Sequence, residues 1–98
     1  MEVDVADVLN DVCDERTFVA FLAALSRDFA AKRTIEASRP SSAYGQGALG
    51  WENGAVDTFL EAASAWADDT ATNPLLNPAE ENAWQRCAKI VYAGKFYE

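Results

Sequence analysis

Apolar residues recur at helical spacing along most of this chain, and they mark out four segments. Val5, Val8, Leu9 and Val12 fall at i, i+3, i+4 and i+7, which predicts a short helix over about 4–12 with Asp4 as its N-cap. Alternation at Val3 and Val5 would suit a short strand instead, but the helical stripe accounts for more residues. Phe18, Phe21, Leu22, Leu25 and Phe29 repeat the same pattern and carry the strongest periodic signal, a helix over about 14–36. Asp14 suits its N-cap, Glu15 suits its first turn, and Arg27, Lys32 and Arg33 gather toward its C-terminal half, as the helix dipole favours. Pro40 ends it at the latest.

A third helix is expected over about 53–68, with Asn53 as cap and a stripe of Val56, Phe59, Leu60, Ala63, Trp66 and Ala67. Trp51, just ahead of that cap, is placed to fold back on Phe59 or Val56. Asp68 and Asp69 oppose the dipole at its C-terminus, so an end near Ala67 is expected. The fourth helix is expected over about 78–93. Asn77 supplies a cap, Pro78 a first helical residue and Glu80 a capping-box partner. Trp84, Cys87, Ala88, Val91 and Tyr92 form its inner face, Gly94 its C-cap, and Phe96 and Tyr97 are expected to pack back across the last turn.

The segments predict one all-α domain over residues 1–98, a bundle of about four helices. Its expected core is Val8, Phe18, Phe21, Leu22, Leu25, Phe29, Phe59, Leu60, Ala63, Trp66, Trp84, Cys87 and Val91. Residues 38–50 read as a Ser/Gly/Pro-rich loop, and 70–78 as a second loop whose Leu75 and Leu76 should pack down on the core. No internal repeat is visible.

Composition sharpens the functional picture. Histidine is absent, which removes histidine general bases, metal ligands and pH switches. Sixteen carboxylates against eight Lys and Arg leave a net charge of −8, which argues against nucleic acid and anionic membrane surfaces as partners. No run reaches the roughly 18 consecutive apolar residues of a membrane-spanning helix, and the acidic start Met1-Glu2-Val3-Asp4 does not read as a signal peptide, so a cytoplasmic protein is expected. Cys13 and Cys87 lack CxxC spacing and are expected to be buried free thiols, a disulfide between them needing an oxidising compartment.

Candidate chemistry is sparse. Asp57 and Glu61 share a helical face, and Asp68-Asp69 and Glu80-Glu81 are further carboxylate pairs, but none shows a Glu-x-x-His or calcium-loop pattern. Ser41, Ser42 and Ser64 have no histidine and no Ser-x-x-Lys lysine to activate them. Gly45-Gln46-Gly47 lacks the lysine and the strand-to-helix setting of a phosphate loop. The expectation is therefore no catalytic residue, no metal and no cofactor. Tyr44 reads either as a loop anchor or as a binding contact, and Trp51 either as core or as an exposed partner anchor.

Trp51-Glu52-Asn53, Phe59-Leu60-Glu61-Ala62 with Trp66, Asn77-Pro78 with Trp84, and the closing Tyr97-Glu98 together resemble a family of small, acidic, single-domain bacterial proteins of unknown function. The similarity runs from the Phe18-Phe21-Leu22 helix to the end, with residues 38–50 as a longer linker. The resemblance implies no activity, cofactor or catalytic residue. Toxin-neutralising immunity proteins are comparable in size and charge, by analogy alone.

The leading expectation is a non-catalytic protein-interaction module with a basic protein partner. Its contact residues would be Asp7, Asp11 and Glu15, joined by Tyr44 and Trp51. A homo-oligomeric structural protein, an immunity-like protein and a metal-dependent hydrolase are the alternatives.

Overall fold

Each periodic segment forms a helix. The computed structural model describes residues 4–38 and 50–97, and in order these form α1 (Val5–Asn10), α2 (Glu15–Ser38), α3 (Val56–Thr70) and α4 (Ala83–Ala93). No strand occurs among the described residues, so the fold is an all-α, single-domain four-helix bundle.

The first two caps lie where residue type puts them. Asp4 Oδ1 accepts from the backbone N–H of Ala6 at 2.9 Å and starts α1. Asp14 Oδ1 accepts from Thr17 N at 2.9 Å, while Thr17 Oγ1 accepts in return from Asp14 N at 3.0 Å. This reciprocal box starts α2. The N–H of Thr17, and after it the Thr17 side chain, holds the Asp14 carboxyl below its ordinary value, because both donate to the charged form.

The later two caps differ from expectation. Asn53 does not cap α3. Its Nδ2 donates to Gly94 O at 3.1 Å and Tyr97 O at 3.0 Å, tying the strand-like entry of α3 to the end of α4. The helix then begins after Ala55, which supplies no side-chain cap. Asn77 does not cap α4 either. Its Nδ2 donates to Ala71 O at 2.7 Å, holding the 71–77 turn closed. Asn82 is the cap: its Oδ1 accepts from Trp84 N at 2.7 Å, and its Nδ2 donates to Cys13 O at 3.0 Å. One side chain thus starts α4 and fastens it to the α1–α2 connection. Asn82→Ala should therefore lower stability by about 1 kcal/mol or somewhat more in urea denaturation, and Asn77→Ala by less. Equal losses would contradict this placement of the cap.

α3 runs past Ala67 to Thr70, where Arg86 of α4 supplies donors to its last turn. Arg86 donates to Ala67 O at 3.1 Å and Thr70 Oγ1 at 3.0 Å, and its guanidinium lies 5.0 Å from the Trp66 ring centre. That cation offsets the unfavourable Asp68 and Asp69. Tyr97 donates its hydroxyl to Asp69, and this bond to a carboxylate raises the phenol pKa above its ordinary value.

α4 is the central element. It packs on α1, α2 and α3, while α2 and α3 do not pack on each other. The core is Val5, Leu9, Val12, Phe21, Leu25, Trp51 and Ala88, with Val8, Phe18, Phe29, Phe59, Val91 and Tyr92 packed against it. Gly94 ends α4 as expected, but with φ of −56°, so it is not there for a left-handed turn. It is there for close approach: a Cβ would sit 2.8 Å from Phe59 O and 3.0 Å from the Phe59 ring. Phe96 does turn back, its ring 5.4 Å from that of Tyr92.

Four expected core residues are exposed. Leu22 is 40% exposed, Leu60 60% and Trp84 38%, and Cys87 is an exposed free thiol. Leu22 lines an open space between α2 and α3. Cys13 is likewise free and exposed, because it lies in the α1–α2 connection rather than on a core face. Leu75 is 86% exposed and Leu76 43%, since the turns of the α3–α4 connection close on Asn73 and Asn77 instead of on the core.

Candidate functional site

An apolar cleft of about 320 Å³ opens between α2 and α3. Leu25 and Phe29 of α2, Val91 of α4, Phe59 of α3 and Trp51 form its floor; Leu22 and Val56 stand at its rims. The cleft follows from topology. Residues 38–50 separate α2 from α3 in sequence, and both helices bury their inner faces against α4 instead of each other. Their outer flanks, apolar by periodicity, are left facing solvent.

The rims are strongly exposed. Val56 is 77% exposed, and Leu60, one turn further along α3, is 60% exposed. On α2, Val19 is 55% exposed, one turn before Leu22. Outside the cleft, Trp84 and Cys87 share with the lining residue Val91 the i, i+3, i+7 face of α4, and the Trp84 ring lies 5.7 Å from that of Phe18. Apolar surface therefore extends beyond the cleft toward the start of α4. Only Ser26 and Asn53 contribute polar side chains to the lining.

Trp51 holds the floor in place. It is 5% exposed, its ring is edge-on to Phe29 at 4.9 Å and stacked on Phe59 at 6.1 Å, and its indole Nε1 donates to Asp28 Oδ2 at 2.8 Å. The same oxygen takes the ammonium of Lys95 at 2.8 Å, and that ammonium lies 5.5 Å from the Trp51 ring centre. Lys95 is itself buried, 8% exposed, and its carbonyl accepts from Glu52 N and Asn53 N. Gly50, with φ of 83°, gives the left-handed turn that leads into Trp51. The tryptophan is thus core, and the alternative of an exposed partner anchor is closed by its burial.

The remaining expected contact residues are distributed as follows. Asp7 lies on α1, Asp11 is its C-cap and Glu15 opens α2; all three are exposed and make no ion pair among the described residues. Tyr44 lies outside the described residues. Asp57 and Glu61 are exposed on α3, and no group of three or more Cys, Asp and Glu among the described residues is placed to hold a metal ion. None of the described helices is long and apolar enough to cross a membrane.

Residue type alone does not pick out Asp28, Lys95 or Arg86. The usable signal for Asp28 is its position, seven residues after the fully buried Phe21 and therefore near the inner face of α2.

No curated protein and no solved structure matches this chain. One family model does, over residues 14–98, from the Asp14 cap through all of the cleft-forming helices. On that match, the chain belongs to the family of unknown function DUF7660.

Proposed function

We propose that this domain is a non-catalytic protein-interaction module for a basic protein partner. The observation that carries this reading is how the cations are used. Lys32, Lys89 and Lys95 pair with Glu36, Glu81 and Asp28, and Arg86 donates to Ala67 O and Thr70 Oγ1 of α3, so four of the eight Lys and Arg are held by partners within the chain. Asp7, Asp11 and Glu15 remain exposed and make no ion pair among the described residues. Such a surface attracts a cationic protein over several ångströms and orients its approach.

The test compares the chain with an Asp7→Asn, Asp11→Asn, Glu15→Gln variant against the partner recovered with it from its own host. Association with the unaltered chain should slow by about tenfold or more between low and physiological salt. The variant should associate more slowly, with a flatter salt dependence and unchanged helicity. A partner that is itself acidic, or a rate indifferent to salt, overturns the reading. A salt-insensitive dimer of this chain in sedimentation would favour a homo-oligomeric protein instead.

A further inference from the structure

We propose that the open cleft between α2 and α3 is the docking groove for one basic amphipathic helix of the partner protein. This inference rests on the reading above and adds the contact surface and the form of the ligand.

The groove has the shape of a missing helix. Leu22 to Phe29 line its α2 side, and those eight residues at 1.5 Å rise make that side about 12 Å long, room for about two turns. The walls are apolar and open. Val56 and Leu60 on one side and Val19 and Leu22 on the other are 40–77% exposed, although their neighbours Leu25 and Phe21 are buried. An amphipathic helix lays its i, i+3, i+4, i+7 side chains into such a groove. A polar small molecule would need groups to orient it, and the groove has few. The Asn53 amide is already committed to Gly94 O and Tyr97 O.

Charge complementarity selects a basic helix. Asp57, Glu61 and Asp68 recur at i, i+4 and i+11, so they form a row on the solvent side of the Val56–Leu60 stripe, and all three are exposed and without ion pairs among the described residues. Lys32 and Arg33 lie against the Phe29 ring at one end, where Lys32 is paired with Glu36. The long edge of the α3 wall is therefore acidic beside an apolar stripe. A helix with an apolar face flanked by Lys and Arg matches it. A second copy of this chain does not, because it would bring the same carboxylates and a charge of −8 against them.

The experiment uses the full chain and three synthetic peptides of about 18 residues, long enough to form helix in isolation. The first has a leucine stripe flanked by Lys and Arg. The second keeps the charge and replaces leucine by serine. The third keeps the leucines and replaces Lys and Arg by glutamine. Affinity is measured at two salt concentrations, and the alkylation rates of Cys87, exposed on α4 one turn before the lining residue Val91, and of Cys13, in the α1–α2 connection, are followed by mass spectrometry.

The first peptide should slow Cys87 alkylation about tenfold at saturation while Cys13 changes less than about twofold. Val56→Glu and Leu60→Glu should each weaken its binding by about tenfold or more, because a desolvated apolar contact is lost. Both positions are exposed, so folding should be retained. Both substitutions add negative charge, so generic attraction would strengthen binding instead.

If the serine peptide binds equally well and Cys87 is not protected, the basic-partner reading survives and the groove does not. If the glutamine peptide binds as tightly as the basic one, the groove takes an apolar helix and the basic partner is wrong. Binding by no peptide overturns the proposal. So does a dimer that protects Cys87 without peptide, or binding that emerges only when residues 39–49 are replaced by a Gly-Ser linker, which would make this chain's own segment the occupant.

Discussion

Trp51→Ala should destabilise the domain by about 3–5 kcal/mol, the usual cost of truncating a buried tryptophan. The residue is 5% exposed and joins Phe29 of α2 to Phe59 of α3. Because those two helices do not pack on each other, the indole is a main link between them. Its loss also removes a donor from Asp28. A small domain has only about 5–15 kcal/mol of stability in all, so the variant should be partly unfolded near physiological temperature. Urea denaturation followed by circular dichroism measures the effect. A Trp51→Phe variant should recover much of the packing but not the indole hydrogen bond. A loss below about 1 kcal/mol for Trp51→Ala would mean that the indole is not core.

Lys95→Met should be the second large effect. Breaking a buried ion pair by removing one partner typically costs about 3–5 kcal/mol, because the other charge is left in a poor environment. The lower end of that range is expected here, since the Asp28 side chain keeps 17% exposure and its indole donor. Methionine keeps most of the stem volume, so lost packing contributes little. Adding Asp28→Asn to Lys95→Met should restore stability relative to Lys95→Met alone. The amide is neutral, and its oxygen can still accept from Trp51. A double-mutant cycle by urea denaturation reads the coupling. Strict additivity of the two single effects would show that the charges do not depend on each other.

These two variants meet at one oxygen, Asp28 Oδ2, and the consequence reaches the groove. Trp51 and Phe59 are floor residues, Lys95 O receives the backbone N–H groups of Glu52 and Asn53, and Asn53 reaches back to Gly94 and Tyr97. The entry to α3 is therefore clamped to the end of α4 by polar contacts beneath an apolar cleft. These contacts fix the α3 wall to the end of α4, and α3 does not pack on α2.

Much of the fold was legible before any coordinates. Four stretches of period 3.6 became four helices in order, Asp4 and Asp14 capped as their residue types require, and Gly94 ended α4. These features depend on neighbours within a turn or two, so local physics settles them. The misassigned caps show the limit of that rule. Asn53 and Asn77 carry good cap chemistry, yet their amides bond elsewhere, Asn53 to the distant Gly94 O and Tyr97 O and Asn77 to Ala71 O within its own connection. Asn82 wins at α4 because it also meets Cys13, 69 residues away in sequence.

The candidate site divides along the same line. The acidic character of Asp7, Asp11 and Glu15 is a property of composition, and helical periodicity puts Leu22, Val56, Leu60, Trp84 and Cys87 on apolar stripes that read as core. Periodicity states which side of a helix is apolar but not how wide a sector another element will cover. Only the tertiary arrangement, with α4 between α2 and α3 and with Trp51 and the Asp28–Lys95 pair at its edge, left those residues uncovered. The sequence by itself determined the helices, their apolar faces and the excess of negative charge, because each follows from residue type and short-range spacing. The packing of three helices around one decided which part of those faces is core and which part is open surface, because burial depends on contacts between residues far apart in the chain.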